Sequence, residues 1–301
     1  RVRWNMNTDT PLPPDEPTGE NPPDGAMIDY LLPAPVSGPV TLEIKDDKGR
    51  LVRRYTSEEQ PSLPDPKDVK VPYYWLRPPQ ALSAQPGLHR FLWDMHYAPI
   101  AGVEPQYPIA AIYRETAAEP TAPWALPGSY TVTLTADGKS QTQTLTLKMD
   151  PRVKASAADL AAQFDLSLKL YELRKKLEPI GKRFDALVAG LAKAKDRAGD
   201  GPLTGQIEAL QKQLEQLSPP NARPGTPLQF AALANVQQLF GTIQHVDAAP
   251  TPRVRAAVPE VERQATEAIA RWEVLLANEV AKLNEQLTAA GQPPIDLATA
   301  E

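Results

Sequence analysis

The fold is decided around residues 145–152, Leu-Thr-Leu-Lys-Met-Asp-Pro-Arg, where the periodicity of the sequence changes. Before Pro151 apolar residues alternate in steps of two, which is typical of strands, and after it leucines recur at intervals of three and four, which is typical of helices. The residues up to 150 also hold 22 of the 34 prolines and 13 of the 19 aromatic residues. The sequence therefore predicts an α+β multidomain protein, with a strand-rich domain at 25–150 and a helical domain at 151–301.

Composition excludes several classes of protein. A chain of 301 residues is long enough for two modest cores. The formal net charge is −5 and no basic stretch stands out, so nucleic acid is not expected as a partner. Cysteine is absent, which excludes disulfides and thiolate metal sites. No apolar run approaches the roughly 18 residues of a membrane span, so none is expected.

The beginning of the chain is polar and rich in proline, from Pro11 to Pro23. Because proline removes backbone donors and favours extended conformations, residues 1–24 are predicted to form an extended linker. The sequence starts at Arg1 without a signal-peptide pattern, and we expect it to be a piece of a longer protein.

Two hairpins dominate the strand-rich half. Residues 40–45 alternate between apolar and polar, Asp46 to Gly49 has turn chemistry, and residues 51–55 provide the returning strand. Residues 130–134 and 145–149 flank a second turn at Asp137-Gly138. Further strands are predicted at 28–32 and 88–95, with weaker candidates at 73–76 and 110–113. Many short strands separated by turns predict a β-sandwich of immunoglobulin or fibronectin type.

Leucine-rich seams dominate the helical half. The first seam has 4-3-4-3-4-3-4 spacing and consists of Leu166, Leu170, Leu173, Leu177, Ile180, Phe184, Leu187 and Leu191. Pro179 lies within it and is expected to kink the helix. A second seam of the same rhythm consists of Leu203, Ile207, Leu210, Leu214 and Leu217.

Two more helices complete this half. One is predicted from Pro227 to about Val246, and another after Thr251-Pro252, ending before Gly291. The apolar face of the last helix consists of Ala265, Ile269, Trp272, Leu276, Val280, Leu283 and Leu287. About four amphipathic helices with short connections predict an antiparallel helical bundle. A dimeric coiled coil is the alternative, although packing within one chain is favoured because the first and last helices are long enough to cover each other.

Few residues have the chemistry of a site. Asp94 and His96 lie two apart in a predicted strand and share a face, so they are weak candidates for a metal site. No third ligand is evident, and a structural role for both is favoured; no metal and no cofactor is predicted. Asp29, Glu43 and Glu104 have no context that distinguishes them from surface carboxylates, and no serine elbow, phosphate-binding loop or zinc motif is present. No catalytic residue is therefore predicted.

Aromatic residues in the proline-rich loops are stronger candidates for contacts with a ligand or a partner. Tyr73, Tyr74, Trp75 and Trp124 lie where burial in a core is not guaranteed. Exposed aromatic rings stack on sugars or anchor a partner domain. The alternative, which we favour, is that these rings pin the long loops onto the sandwich.

Several segments of the chain resemble one known family. The segments at 21–30, 40–44, 87–94 and 127–130, with the helical ending at 283–295, resemble the C-terminal region of bacterial secreted propeller proteins with sialidase-type (BNR) or sortilin (VPS10)-like repeats, often labelled glycosyl hydrolases. The strand-rich half also looks like the immunoglobulin-like domains of flagellar hook-capping and secretion-sorting proteins. The family's Asp-box turn, Ser-x-Asp-x-Gly-x-Thr-Trp, does not occur here, so no catalytic residue can be carried over.

The resemblance implies a function and a location. It implies a non-catalytic accessory region that docks on, or spaces, an upstream propeller of an extracellular or periplasmic protein. The first alternative is a part of a sialidase-like glycoside hydrolase whose active site lies mainly in that propeller. The second alternative is a carbohydrate-binding module, so the expected ligand is a carbohydrate or a protein.

The junction of the two halves is short. Ser156, with Asp159 three residues later, approximates a capping box and predicts that the helical half begins within about five residues of Ser156. Because Pro151 stiffens the connection, we expect the two halves to pack in one fixed orientation, with Trp4 and Tyr171 as interface members.

Overall fold

The described residues have a mixed α+β architecture with two small antiparallel sheets and four helices. A computed structural model describes residues 1–3, 15–17, 19, 22–61, 63–199, 201–219 and 228–297. It divides into two compact units, Arg1–Ser156 and Ala157–Glu301. Trp4 and most of the predicted linker at 1–24 lie outside the described residues.

The described part of the first unit contains six strands. They are β1 (Ala26–Leu32), β2 (Thr41–Lys45), β3 (Leu51–Thr56), β4 (Gly87–Trp93), β5 (Gly128–Ala136) and β6 (Lys139–Leu147). Strands β1 and β4 form an antiparallel pair, and the other four form an antiparallel sheet in the order β3-β2-β5-β6. Each of the stronger strand predictions overlaps one of these six strands.

Glycine at positive φ closes both hairpins. Gly49 has a φ of 74° and donates its N–H to the Asp46 carbonyl at 2.9 Å. Asp137 and Gly138, at φ of 47° and 71°, form the two-residue turn between β5 and β6. Consecutive residues at positive φ match the right-handed twist of the flanking strands, which is why this pair of residue types was a reliable hairpin signal.

Aromatic contacts join the two sheets. The rings of Tyr55 and Phe91 lie 4.5 Å apart between centroids, and those of Trp93 and Tyr130 lie 5.2 Å apart, both edge to face. Trp93 is fully buried. The core of the first unit therefore lies between the inner faces of the two sheets.

Neither weaker strand candidate forms a strand. Tyr73–Trp75 is a 3₁₀ turn, in which the Trp75 N–H donates to the Pro72 carbonyl at 3.0 Å. At 110–113 the Ile112 N–H donates to the Ala110 carbonyl at 2.9 Å, which is a local turn. In both segments local hydrogen bonds use donors that a strand would direct to a neighbour. The strand prediction for 73–76 and 110–113 was wrong for that reason.

The second unit is helical. Its elements are α1 (Ala157–Ala198), α2 (Thr204–Glu215), α3 (Ala231–Gln244), α4 (Pro252–Leu275), a π-helical turn (Leu276–Val280) and α5 (Ala281–Ala289). The last three are continuous and count as one helix. Helix α1 begins directly after Ser156 and contains Pro179 without a break. Pro227, where the third helix was expected to begin, lies outside the described residues.

Helices α2 and α3 run one after the other along α1, both opposite to it. Near the end of α1, Lys195 pairs with Glu208 of α2 at 2.9 Å. Near the beginning of α1, the Gln163 side chain donates to the carbonyl of Ile243, at the end of α3, at 2.6 Å. The order of these contacts means that α2 and α3 share one direction.

The last helix returns in the direction of α1. Trp272 lies 5.9 Å from Phe184 between ring centroids, and further along Asn284 holds Ile295, which packs against Gly190. The predicted helices are present, but their directions do not alternate strictly. Helices α2 and α3 keep one direction because the start of α3 lies at the end of α2, where the Ala231 N–H donates to the Leu217 carbonyl at 2.9 Å.

A π-helical turn corrects the register of the last helix. Trp272, Leu275, Val280 and Leu283 are buried, so the buried positions jump by five residues across the turn. A uniform helical period predicted that Leu276 would be the buried residue of this face, whereas Leu275 is buried. The difference arises because a π-helical turn contains an extra residue that a uniform period does not include. Within the described residues, no helix has the length and apolar character needed to cross a membrane.

Candidate functional site

The loop between β3 and β4 presents Tyr73 and Tyr74 on a turn held by backbone pairing. The Tyr74 carbonyl accepts from the Arg114 N–H and the Trp75 carbonyl from the Thr116 N–H, each at 3.0 Å. Leu76 and Thr116 also form a parallel bridge. These bonds fix the 3₁₀ turn against the loop between β4 and β5.

Three tyrosines remain exposed on this pair of loops. Tyr73 is 39% exposed, Tyr74 42% and Tyr113 53%. The rings of Tyr74 and Tyr113 lie 6.4 Å apart between centroids and are inclined by 40°. We call these three residues the tyrosine patch. The Tyr74 and Tyr113 rings are not coplanar, so this pair does not form a flat stacking surface.

Trp75 points the other way and is buried. It forms a small core with Val71 and Leu76, against which Tyr107 and Ala111 pack. The Tyr74 and Trp75 rings are almost perpendicular, at 83°. Trp75 therefore supports the tyrosine patch from below and offers no surface to a ligand.

An ion-pair cluster anchors the same loops. The Arg77 guanidinium lies 2.9 Å from an Asp24 carboxylate oxygen and 3.2 Å from one of Glu115. It also donates to the Glu115 carbonyl at 3.0 Å. Arg77 joins the segment before β1 to both loops. These ion pairs therefore help to fix the loops that carry the tyrosine patch.

The ring of Trp124 is covered by side chains of the same unit. Its ring lies 3.9 Å from the His96 ring between centroids, and the Arg1 and Arg3 guanidinium groups lie over it at 5.3 and 5.1 Å. His96 and Trp124 also form an isolated antiparallel bridge. Stacking by two cations and an imidazole leaves Trp124 half-buried, in a structural role.

His96 is a buried imidazole with a lowered pKa. Burial is the main cause that lowers its pKa, and the charges of Arg1 and Arg3 lower it further, while Asp94 opposes them. The His96 Nδ1 lies 2.8 Å from the Asp94 carbonyl oxygen, to which it donates, whereas it lies 4.0 Å from the Asp94 carboxylate. Its Nε2 is buried without a hydrogen-bond partner in the described part of the chain.

Asp94 and His96 do not converge on a common point as two metal ligands would. The Asp94 side chain is 54% exposed, while that of His96 is 10% exposed. Over the described ranges, no group of three or more His, Cys, Asp or Glu side chains could hold a metal ion. The pair closes β4 structurally, with Met95 between them at a φ of 60°.

The carboxylates of the sheets take part in surface ion pairs. Asp29 forms a bidentate pair with Arg90 across β1 and β4, at 2.8 and 2.9 Å. Glu43, on the other sheet, lies 3.1 Å from Lys45. Hydrogen bonds from Arg90 lower the pKa of Asp29, so it is held ionised. Asp29 therefore lacks the raised pKa of a glycosidase acid, and Glu43 lies on the other sheet, so the two carboxylates do not form a catalytic pair.

A groove of about 420 Å³ lies in the helical unit, beside the π-helical turn. It is lined by side chains of α2 and the last helix, among them Gln213, Arg271, Val274 and Glu279. Its lining combines amide, apolar and oppositely charged side chains.

The sequence pattern did not predict the long-range contacts that position the candidate site. Arg1 and Arg3 over Trp124, and Arg77 between Asp24 and Glu115, join residues far apart in the chain. No local spacing predicts such contacts. Pro72 and the prolines at 78–79 were the only local indication that the tyrosines lie in a turn.

Comparison with known protein families, with curated proteins and with solved structures gives no match to this chain.

Proposed function

We propose that this chain is a non-catalytic accessory region of an exported propeller protein, and that it docks on, or spaces, that propeller through the tyrosine patch. The observation that carries the proposal is the exposure of Tyr73, Tyr74 and Tyr113 on braced loops. Aromatic residues are enriched in protein interfaces because they bury a large area at a small cost in conformational entropy. Loops fixed in advance reduce that cost further.

The strand order of the first unit supports this proposal. If β1 to β6 are equated with strands B, C, C′, E, F and G, the B–E pair and the C′-C-F-G order are both obtained. Tyr130, near the start of β5, donates its hydroxyl to the Leu126 carbonyl at 2.6 Å, like the tyrosine corner of such domains. We therefore infer an immunoglobulin-like sandwich, a fold that commonly serves as a spacer or a docking module.

The glycoside hydrolase alternative is less well supported. Its active site would need two carboxylates about 5–10 Å apart in a cleft. Asp29 and Glu43 lie on different sheets and are neutralised by basic neighbours at the surface. The carbohydrate-binding alternative rests on the same tyrosine patch, whose tilted rings fit a curved glycan better than a flat one.

The proposal is tested by assaying the purified chain against panels of chromogenic glycosides and peptides, and on a glycan array. We expect no turnover and no glycan binding. Turnover that is lost in Asp29→Asn or Glu43→Gln would contradict the non-catalytic proposal. Glycan binding that is lost in Tyr74→Ser, but kept in a control such as Leu51→Ser on the exposed edge strand β3, would favour the carbohydrate-binding module instead.

A further inference from the structure

Among the described residues, strand β6 has an unpaired outer edge. It is an outer strand of the four-stranded sheet, and in the described part of the chain no strand pairs with its free side. The side chains of Lys139 to Thr144 are exposed on both faces. Pairing of β5 with β6 runs over nine residue pairs without a bulge. Edge strands are normally protected by proline, internal charges or bulges, and β6 has none of these between its ends.

The opposite edge of the same sheet shows the contrast. Strand β3 carries Arg53 and Arg54 in its middle, and its pairing with β2 shifts register between Ile44 and Lys45. Charge and irregularity therefore protect one edge and leave the other open. This difference identifies β6 as the edge that can accept another strand.

The chain itself limits the open edge at one end. The Arg1 nitrogen donates to the Lys148 carbonyl, and the Asp150 N–H donates to the Arg1 carbonyl at 3.1 Å. This alternation is the bonding pattern of parallel strands. Arg1 thus occupies the edge beyond β6, and the edge that remains available is Lys139–Leu147.

The open strand is complementary to itself. Its outer face carries a row of hydroxyls, from Ser140 to Thr146, and such rows pair across neighbouring strands in this sheet. Thr133 and Thr142 oxygens lie 3.1 Å apart, and Thr135 and Ser140 oxygens lie 2.8 Å apart. Cross-strand threonine pairs stabilise antiparallel sheets.

We propose that β6 is a self-association edge, on which a second copy of this chain pairs its own β6 antiparallel about a twofold axis at Gln143. Thr142 of one copy then lies opposite Thr144 of the other, and Ser140 lies opposite Thr146. Lys139 lies opposite Leu147, so the pairing brings no lysine opposite another. The two sheets become one continuous sheet with hydroxyl pairs along its outer face.

The association is weak and depends on concentration. A single strand-to-strand contact buries less than the roughly 1,000 Å² typical of a stable interface. Copies held close together by the proteins that carry them gain from a raised effective concentration. The edge therefore serves to join neighbouring copies and does not form a permanent dimer.

Cysteine cross-linking tests the register. The chain has no cysteine, so Gln143→Cys introduces a single thiol at the proposed axis. Directly opposite residues have Cα atoms about 4.5–5.5 Å apart, within the range of a disulfide. Gln141→Cys is the matched control, because its two copies would lie about 13 Å apart along the strands. Under mild oxidation we expect at least about tenfold more disulfide dimer from Gln143→Cys.

Sedimentation without any cysteine is the second test. We expect the sedimentation coefficient of the unmodified chain to rise with concentration, and that of Gln143→Thr to rise equally. Gln143→Lys places two like charges opposite each other at the axis, and its coefficient should stay at the monomer value. Equal cross-linking of the two cysteine variants would overturn the proposal. So would self-association that Gln143→Lys leaves unchanged, or a monomer at every concentration with no cross-linking.

Discussion

Removal of one buried hydroxyl tests the hydrogen bond between Tyr130 and Leu126, which is one basis for our inference of an immunoglobulin-like fold. Tyr130 is 5% exposed, and its hydroxyl donates to the Leu126 carbonyl at 2.6 Å. Tyr130→Phe keeps the ring that packs on Trp93 and deletes only the donor. Since the half-buried carbonyl is left without this donor, we expect a loss of about 1–2 kcal/mol in the free energy of unfolding. For a unit of this size the loss corresponds to a fall of roughly 2–8 °C in Tm.

The assay is urea unfolding of the full chain, with Tyr113→Phe as the control. Tyr113 is 53% exposed, so its hydroxyl can exchange a protein partner for water at little cost. The urea dependence of the unfolding free energy should not change, because the exposed area on unfolding is the same. If Tyr130→Phe unfolds within about 0.3 kcal/mol of the unmodified chain, the hydrogen bond does not stabilise this corner and the reasoning is refuted.

Three further predictions concern buried or partly buried polar groups. Because burial lowers the pKa of His96, the unfolded chain binds a proton that the folded chain does not. The stability of the first unit should therefore fall as the pH drops below about 6.5. In His96→Asn the urea midpoint should lose most of that pH dependence. Gln163→Ala leaves two carbonyls at the end of α3 without their donor, and should lower the free energy of unfolding of the helical unit by about 1–3 kcal/mol, as measured by calorimetry. The control Gln238→Ala removes an exposed side chain and should change that free energy by less than about 0.5 kcal/mol. Asn284 bonds both the N–H and the carbonyl of Ile295, so Asn284→Ala should speed amide hydrogen exchange at Ile295, and unchanged exchange would show that the clamp has no effect.

The local elements of this fold follow from short-range chemistry. Asp137-Gly138 and the turn at Gly49 are stereochemical signals, and alternation around them determines which residues of β2 and β5 face the core. Helix ends are equally local, as where the Thr251 hydroxyl accepts from the Val254 N–H at 3.3 Å at the start of α4. Such features could be predicted because all the atoms involved lie within a few residues of one another.

The remaining features depend on contacts that no local pattern contains. The shared direction of α2 and α3 is set by where Gln163 and Ile243 meet, 80 residues apart. Trp75 and Tyr74 are neighbours in sequence, but only the packing of the distant Tyr107 and Ala111 decides that the tryptophan is buried and the tyrosine exposed. The candidate site could therefore be located in its loop from the sequence, whereas its exposed members could not be identified.

The central proposal is tested most directly by calorimetric titration of this chain with the propeller on which we propose that it docks, produced separately. We predict saturable binding, with no catalytic turnover by this chain. Tyr74→Ser combined with Tyr113→Ser should weaken the affinity at least about tenfold. Leu51→Ser, an exposed apolar residue of β3 outside the tyrosine patch, should bind like the unmodified chain. No heat of binding at high concentration, or binding that the two tyrosine substitutions leave unchanged, would contradict the account.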